Sequence, residues 1–308
     1  MRKAIHISPR GVFTSGKTSS AAGLTAAVVK DPLNDAWTLE GGAAVMASGG
    51  ILAVDEIGQI REEDKSALHE VMEQGTVSIA KAGIISKLRA DCGLLAAGNP
   101  KNGYFDRNTP FSEQVGLSPA LWSHFDLILI ILDDPDPKTD RDISSHILTN
   151  HQIGGMIQKR IYSKFSAHTE EEVSKAKMAI EAPISEEMLR KYVAYARTKV
   201  YPVTTPEVGE YIQNFYLDIR SMKSVGPRSP VPITARCLES LQRSSEARAR
   251  MRLSDTVSIE DVEYAKKVFI ASLKDVGMDM ETGKLDAGII NCGKSQSQAE
   301  RTKWLIVS

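Results

Sequence analysis

Ile51-Leu52-Ala53-Val54-Asp55-Glu56 decides how this chain reads. Four apolar residues run together, with Gly49-Gly50 before them and two acids stopping them. A strand with one wet face would alternate. A continuous run of this length suits a strand buried on both faces, as in a parallel sheet covered by helices. Two more runs follow: Leu94–Ala97 between Gly93 and Gly98, and Leu127–Leu132, stopped by Asp133-Asp134-Pro135. Between the first two, Glu62–Gln74 carries Ala67, Leu68, Val71 and Met72 at helical spacing. The first half therefore predicts an α/β fold built on a parallel sheet, with all three runs as strands.

The acids that end the first run have the arrangement of a Walker B motif. Ligands of open α/β sheets bind at the carboxyl edge of the strands, where a buried strand would hold these carboxylates. The chemistry asks one acid, Asp55, to hold the shell of a Mg²⁺ ion, and a second, Glu56, to orient and activate the attacking water. The plainer alternative for the same residues is a strand followed by an acidic turn. The next run ends in Gly98-Asn99-Pro100. Asn99 there is placed to reach a γ-phosphate or the lytic water, although a strand-end Asn in a turn is also an ordinary feature.

Composition narrows the classes. The 308 residues suffice for one large domain or two moderate ones. With 42% hydrophobic and 25% charged residues the chain is an ordinary globular one. A net charge of -1 gives no global attraction for nucleic acid, so any such binding must use local basic patches. Cys92, Cys237 and Cys292 lie far apart with no C-x-x-C pair, which indicates neither a disulfide framework nor a cysteine zinc site. They read as incidental thiols of a reducing cytoplasm. The run Leu127–Leu132 is too short to span a bilayer, and Met1 to Phe13 lacks the apolar stretch of a signal peptide. The expectation is a soluble cytoplasmic protein.

The second half predicts helices. Ser185-Glu186-Glu187 opens one whose stripe is Leu189, Tyr192, Val193 and Tyr195-Ala196. Thr205-Pro206-Glu207 opens the next with a capping hydroxyl and a first-turn Pro. Ile233–Met251 forms a third, starting near Thr234, and Ser258-Ile259-Glu260-Asp261 opens a fourth with the spacing of a capping box. The predicted division is an α/β core over 1–152, a connecting segment over 153–182, a small helical domain over 183–276, and a Gly- and Asp-rich tail over 277–308.

Longer strings carry a resemblance. Asp31-Pro32-Leu33-Asn34-Asp35-Ala36-Trp37-Thr38-Leu39-Glu40-Gly41-Gly42-Ala43 resembles the helix-2 insert of MCM helicases. Met72-Glu73-Gln74 with Val77-Ser78-Ile79-Ala80-Lys81-Ala82-Gly83-Ile84 is similar to that family's pre-sensor-1 β-hairpin. Thr14-Ser15-Gly16-Lys17 with Ser19-Ser20-Ala21-Ala22-Gly23-Leu24-Thr25-Ala26 resembles the segment after its phosphate-loop helix, and Pro232-Ile233-Thr234-Ala235-Arg236 with Leu238-Glu239 resembles its sensor-2 helix. The resemblance runs from about Pro9 to the end of the chain.

That resemblance, of archaeal type, implies an AAA+ P-loop-type core with β-hairpin insertions, incomplete at its start. A helical lid and the first helix of a winged-helix domain would follow. It implies ATP with Mg²⁺, a sequence-independent hold on DNA, assembly with itself or other MCM subunits into a hexameric ring, and work at the nucleoid in DNA replication. Asp55 and Glu56 take the roles of the Walker B acids, Asn99 of sensor 1 and Arg236 of sensor 2, which reaches a neighbouring subunit's nucleotide. Lys81 takes the role of the hairpin lysine that tracks DNA, and Lys30 beside the insert hairpin could add positive charge. A Lys at a hairpin tip is a mobile point charge, suited to phosphate rather than to base edges.

Two departures stand against this pattern. The family's Gly-rich phosphate loop should lie just before Met1, and without it the triphosphate lacks its cradle of backbone N–H groups. Gly11-Val12-Phe13-Thr14-Ser15-Gly16-Lys17-Thr18 spells G-x-x-x-x-G-K-[ST], as does Gly288-Ile289-Ile290-Asn291-Cys292-Gly293-Lys294-Ser295. The first reads as a chance match because Gly11 to Thr14 suits a strand better than a loop. Were it a true phosphate loop, Lys17 and Thr18 would join the nucleotide site. The second departure is His124 in Leu121-Trp122-Ser123-His124-Phe125-Asp126, where the family carries an arginine finger. A neutral imidazole supplies neither the permanent charge nor the fork of donors. Negligible ATP turnover by this chain alone is therefore expected. Two alternatives stay open: a degenerate MCM paralogue acting as a non-hydrolysing ring subunit, and a protein-remodelling AAA+ of the magnesium-chelatase type.

Overall fold

A computed structural model describes residues 1–17, 21–31, 37–81, 83–104, 114–131, 135–162, 182–221, 234–275, 278–279 and 284–285. Helix α1 (Arg2–Ile7) leads into strand β1 (Gly11–Ser15), and a short turn of helix, α2 (Ala21–Leu24), precedes a hairpin of β2 (Ala26–Lys30) and β3 (Trp37–Gly41). Helix α3 (Ala43–Met46) and strand β4 (Ile51–Asp55) follow, then α4 (Glu62–Gln74), a second hairpin of β5 (Thr76–Lys81) and β6 (Ile84–Arg89), strand β7 (Gly93–Ala96) and the short α5 (Pro119–Trp122). The sheet has the order β1-β4-β7 and is parallel throughout, with Gly11↔Ile51 to Ser15↔Asp55 on one side and Ile51↔Gly93 to Val54↔Ala96 on the other.

The burial of β4 matches its composition. Leu52, Ala53 and Val54 are fully buried, and Leu52 and Val54 join Leu24, Ala44, Ile57, Leu68, Val71, Val77, Leu117 and Leu121 in one apolar cluster. Gly50 makes the entry to β4 possible, because a Cβ there would lie 1.8 Å from the Arg10 carbonyl oxygen. Its small neighbour lets the chain enter the sheet against that backbone.

The run Leu127–Leu132 departs from expectation. Leu127 to Ile131 belong to no strand, and Leu132 lies outside the described residues. Two local facts give the reason. The Ile128 N–H donates to Ser272 Oγ at 2.7 Å, and the same hydroxyl donates back to the Ile128 carbonyl at 2.8 Å, so a helix side chain satisfies this backbone in place of a ladder. Leu127 packs on the helical cluster described next, while Leu129 and Ile131 are 62% and 90% exposed. Continuous hydrophobicity cannot distinguish that arrangement from a strand.

The rest is helical: α6 (Pro137–Tyr162), α7 (Glu186–Lys199), α8 (Pro206–Ser221), α9 (Ala235–Met251) and α10 (Ile259–Asp275). Helix α6 runs unbroken through residue 152, where the sequence suggested that the core ends. By proximity along the fold, the chain groups into one compact unit of Met1–Ile130 with Arg190–Ser308 and another of Ile131–Leu189. Most of the predicted connecting segment, and the tail beyond 285 with its expected winged-helix start, lie outside the described residues. No described helix is long and apolar enough to cross a membrane.

Helices α8, α9 and α10 bury Val208, Ile212, Ile219, Leu241, Ala249, Val262, Ala265, Phe269 and Leu273 together. The caps sit where the sequence put them. Met188 N–H donates to Ser185 Oγ at 3.2 Å and Val208 N–H to Thr205 Oγ1 at 3.4 Å. At α10 the box closes both ways: Ser258 N–H donates to Asp261 Oδ2 at 3.0 Å and Asp261 N–H to Ser258 Oγ at 3.4 Å. Thr234 starts α9 without a side-chain cap.

Asp261 is 1% exposed and also receives Arg252. Burial alone would raise its pKa, but the hydrogen bonds from Arg252 and Ser258 outweigh burial and hold the carboxyl at about 2. That lies below the unfolded value of about 3.9, so its stabilisation is complete above about pH 4 and is lost as pH falls towards 2. Asp261→Asn should lower stability at pH 7 by about 1–2 kcal/mol and flatten the acid limb of the unfolding profile. Urea unfolding at pH 7 and pH 3 reads both effects.

Candidate functional site

The sheet ladder brings the two predicted acids and the amide to one edge. Ser15 pairs with Asp55 at the ends of β1 and β4, and past β7 the Ala97 N–H donates to the Val54 carbonyl at 2.9 Å. The Ile57 N–H then donates to the Ala97 carbonyl at 2.9 Å. The two chains thus stay joined past the strand ends, and Asn99 leaves on the same edge two residues later, exposed. The acids are oriented locally. Glu56 N–H donates to Asp55 Oδ1 at 3.0 Å, and Ser15 Oγ donates to Glu56 Oε2 at 3.3 Å. Glu56 itself sits at φ 52, ψ 43 in the left-handed region, an uncommon position for a residue with a side chain. Gly16 approaches from β1, where a Cβ would lie 2.7 Å from the Glu56 carbonyl oxygen and from Ile60 Cγ1.

The first G-x-x-x-x-G-K-[ST] string lies across this strand. Gly11 to Ser15 form β1, the Gly16 N–H donates to the Asp55 carbonyl at 2.8 Å, and the Lys17 N–H faces Ser15 Oγ at 3.4 Å. Backbone donors that a phosphate loop would aim at an anion are committed to the sheet and its end. Thr18 and the whole second string lie outside the described residues.

Lys81 and Lys30 occupy equivalent places on two hairpins. Lys81 pairs with Ile84 and Lys30 with Trp37, each the last residue of its strand at the loop end, and both are exposed. Gly83 at the β5–β6 tip has φ 78, which a glycine adopts at no steric cost. Glu70 of α4 anchors the base of that hairpin: it accepts Ser78 Oγ at 2.6 Å, the Ser78 N–H at 3.2 Å and Thr76 Oγ1 at 3.2 Å. Burial raises the Glu70 pKa, yet the Ser78 and Thr76 bonds prevail and leave it below its ordinary value.

Arg236 lies in a separate cluster. Its Nη1 donates to Ser123 Oγ at 2.8 Å and faces His124 Nε2 at 3.2 Å, and its Nη2 donates to Glu73 Oε1 at 3.4 Å. His124 Nε2 in turn lies 3.0 Å from His69 Nε2, and His69 Nδ1 lies 3.6 Å from Glu73 Oε2. Burial, then Arg236 and His69, push the His124 pKa below its ordinary value against a smaller pull from Glu73. The imidazole at this position is therefore neutral at neutral pH. Sequence reasoning singled out Arg236 and His124 but missed His69, Glu70 and Glu73. The available signal was their i, i+3 and i+4 spacing on α4, which turns His69 and Glu73 to one face. Burial, with Asp91 adding, raises Cys92 to about 11, and burial raises Cys237 as well, so neither offers a ready thiolate.

Comparison with known proteins agrees with the fold. Residues 1–151 match the family described as MCM P-loop domain, and residues 187–273 match the MCM AAA-lid domain. The minichromosome maintenance protein MCM of Saccharolobus solfataricus is 43% identical over 300 residues, which cover 97% of this chain and 40% of that protein. DNA replication licensing factor MCM4 of Arabidopsis thaliana is 39% identical over 297 residues, 96% of this chain and 33% of that protein. Probable DNA helicase MCM8 of the same plant is 36% identical over 320 residues, 98% and 40% respectively. The chain thus spans about 40% or less of the length of these relatives.

Removing the acid that anchors the hairpin tests the geometry directly. In Glu70→Ala, hydrogen exchange at the Ser78 amide should quicken roughly tenfold, the equivalent of about 1.4 kcal/mol of lost local stability. Unchanged exchange would mean that the hairpin is held by its apolar base alone.

Proposed function

This chain belongs to the MCM family, and on that premise we propose that it supplies the nucleotide-handling core and lid of a ring-forming, ATP-driven DNA helicase that acts in replication at the nucleoid. The observation that carries the reading is the shared sheet edge, where Asp55, Glu56 and Asn99 emerge from two hydrogen-bonded strands; two hairpins elsewhere on the same core each carry a lysine at the loop end. The names of the relatives, a DNA helicase and a DNA replication licensing factor, support the same class.

The carboxylate oxygens fit the hard-oxygen preference of Mg²⁺, with Asp55 the residue to hold it alongside nucleotide phosphates. The ion, when bound, neutralises charge on the β- and γ-phosphate oxygens. Glu56 orients the attacking water and takes up its proton, and its left-handed backbone fixes the direction in which the carboxylate leaves the strand. Asn99 contacts the γ-phosphate or that water from the neighbouring strand. Lys81, with Lys30 as a lesser contributor, holds DNA phosphates without reading bases. Arg236 acts on a neighbouring subunit's nucleotide, and its partners here, Ser123 and His124, lie on the segment that would face that neighbour.

A second reading has one specific observation behind it. His124 is neutral where a permanently charged guanidinium fork would stabilise transferred-phosphate charge. A ring site completed by this surface would turn over slowly, as in a subunit that occupies or regulates a ring without hydrolysing ATP.

On the intact gene product, Glu56→Gln should lower kcat for ATP by about 10²- to 10⁴-fold with nucleotide affinity retained; wild-type turnover in that variant removes Glu56 from the reaction. Lys81→Ala should weaken binding to unrelated DNA sequences equally and reduce the slope of log affinity against log salt by about 1. Anisotropy titrations across salt concentrations measure both, and a sequence-selective loss would contradict phosphate tracking.

A further inference from the structure

We propose that His69, Glu73 and His124 form a binding site for one divalent transition-metal ion of the zinc class, and that the ion competes with Arg236 for the same atoms. The site shares no ligand with Asp55 or Glu56, and its ligand geometry stands without the proposed function, although the competing Arg236 is the residue which that reading gives to a neighbouring subunit's nucleotide. His69 and Glu73 stand one turn apart on α4, and His124 enters just beyond α5. One ligand atom from each of the three residues lies within 4.8 Å of the others. The two Nε2 atoms face each other at 3.0 Å, with the rings edge to face at 75° and centroids 4.2 Å apart. Ligands on a tetrahedral ion at bond lengths of about 2.0–2.1 Å stand about 3.3–3.4 Å apart, so the two rings need open by only a few tenths of an ångström.

One of the two imidazoles already presents a lone pair. Arg236 donates only, so its Nη1 at 3.2 Å meets a lone pair on His124 Nε2, and that ring carries its proton on Nδ1. His124 Nε2 thus already offers the lone pair that would bind the ion, whereas His69 Nε2, 3.0 Å from the same nitrogen, is its donor and moves its proton to Nδ1, on the side of Glu73, as the ion enters. Two imidazoles and one carboxylate select zinc, cobalt, nickel or copper over magnesium and calcium, which prefer all-oxygen shells. Three protein ligands leave the fourth position to water.

Arg236 is the competitor. Its guanidinium covers His124 Nε2 and Glu73 Oε1, two of the three ligand groups, and a cation and a guanidinium cannot use one lone pair together. Loading the metal therefore drives Arg236 away from both, leaving its bond to Ser123 Oγ as the contact to this segment. Arg236 lies in the first turn of α9, so occupancy of the site alters how that lid helix meets the core.

Cobalt(II) is the probe. Added to the purified, tag-free chain, it should give the intense visible bands of a four-coordinate ion with one equivalent bound, and zinc should displace it. His69→Ala and His124→Gln should each weaken binding by about a hundredfold while circular dichroism stays that of the wild type. Arg236→Ala should strengthen binding about tenfold, a gain that misfolding cannot produce. Mutating His146 and His151, the histidine pair on α6, should change nothing. The proposal fails if cobalt gives only the pale six-coordinate spectrum. It fails equally if the bands survive His69→Ala and His124→Gln or vanish with the α6 pair, or if Arg236→Ala leaves the affinity unchanged.

Discussion

Everything at the sheet edge depends on the two-sided burial of β4. With Leu52, Ala53 and Val54 closed off from solvent on both faces, the strand has nowhere to put a polar side chain until it ends. The ladders to β1 and β7 then fix where that end lies. Acids, neighbouring amide and the serine that touches Glu56 are consequences of a register set by backbone pairing. A one-residue slip would turn every side chain over, and the apolar cluster forbids it.

The helical cluster meets this core at Glu73 of α4 and, through most of the described bonds, along one short segment. Asp126 receives Arg243 through two bonds, Nε to Oδ2 at 3.0 Å and Nη2 to Oδ1 at 2.6 Å, and its carbonyl accepts Ser240 Oγ at 3.0 Å. Ser123 and His124 meet Arg236, and Ile128 exchanges both backbone groups with Ser272. Residues 123–128 are thus bound by side chains of α9 and α10. A bidentate guanidinium–carboxylate pair adds directional definition as well as energy. Most of these groups are partly exposed, so each contributes modestly and the segment is held by their number.

Much of this was legible in the sequence, for identifiable reasons. The runs at 51–54 and 94–97 read as strands because length and flanking glycines bounded them, although only the first is buried on both faces and Leu95 of β7 is exposed, and the hairpin at 76–89 carried a recognisable string. Ser185, Thr205 and Ser258 announced their helices because capping is a local interaction across three residues. What escaped was non-local. Leu127–Leu132 has the hydrophobicity of a strand, but its partner is a serine 144 residues away. The cluster of His69, Glu73, His124 and Arg236 joins three separate stretches, and its bonded pair Glu73 and Arg236 lies 163 residues apart. No spacing rule reaches so far. Only the i, i+4 relation within α4 was visible, and Glu70's hold on Ser78 hid in the same helix.

The left-handed backbone at Glu56 has a consequence for anyone altering this protein. An L-residue with a Cβ gives up about 1 kcal/mol or more in that conformation, whereas glycine occupies it freely and asparagine does so with less strain. Optimising the chain for thermal endurance alone would therefore reach early for position 56. The gain would come from deleting the carboxylate to which the proposed function gives the attacking water. Robustness and chemistry pull against each other at a single torsion angle, and a hardened variant of this chain should be checked there before its activity is trusted.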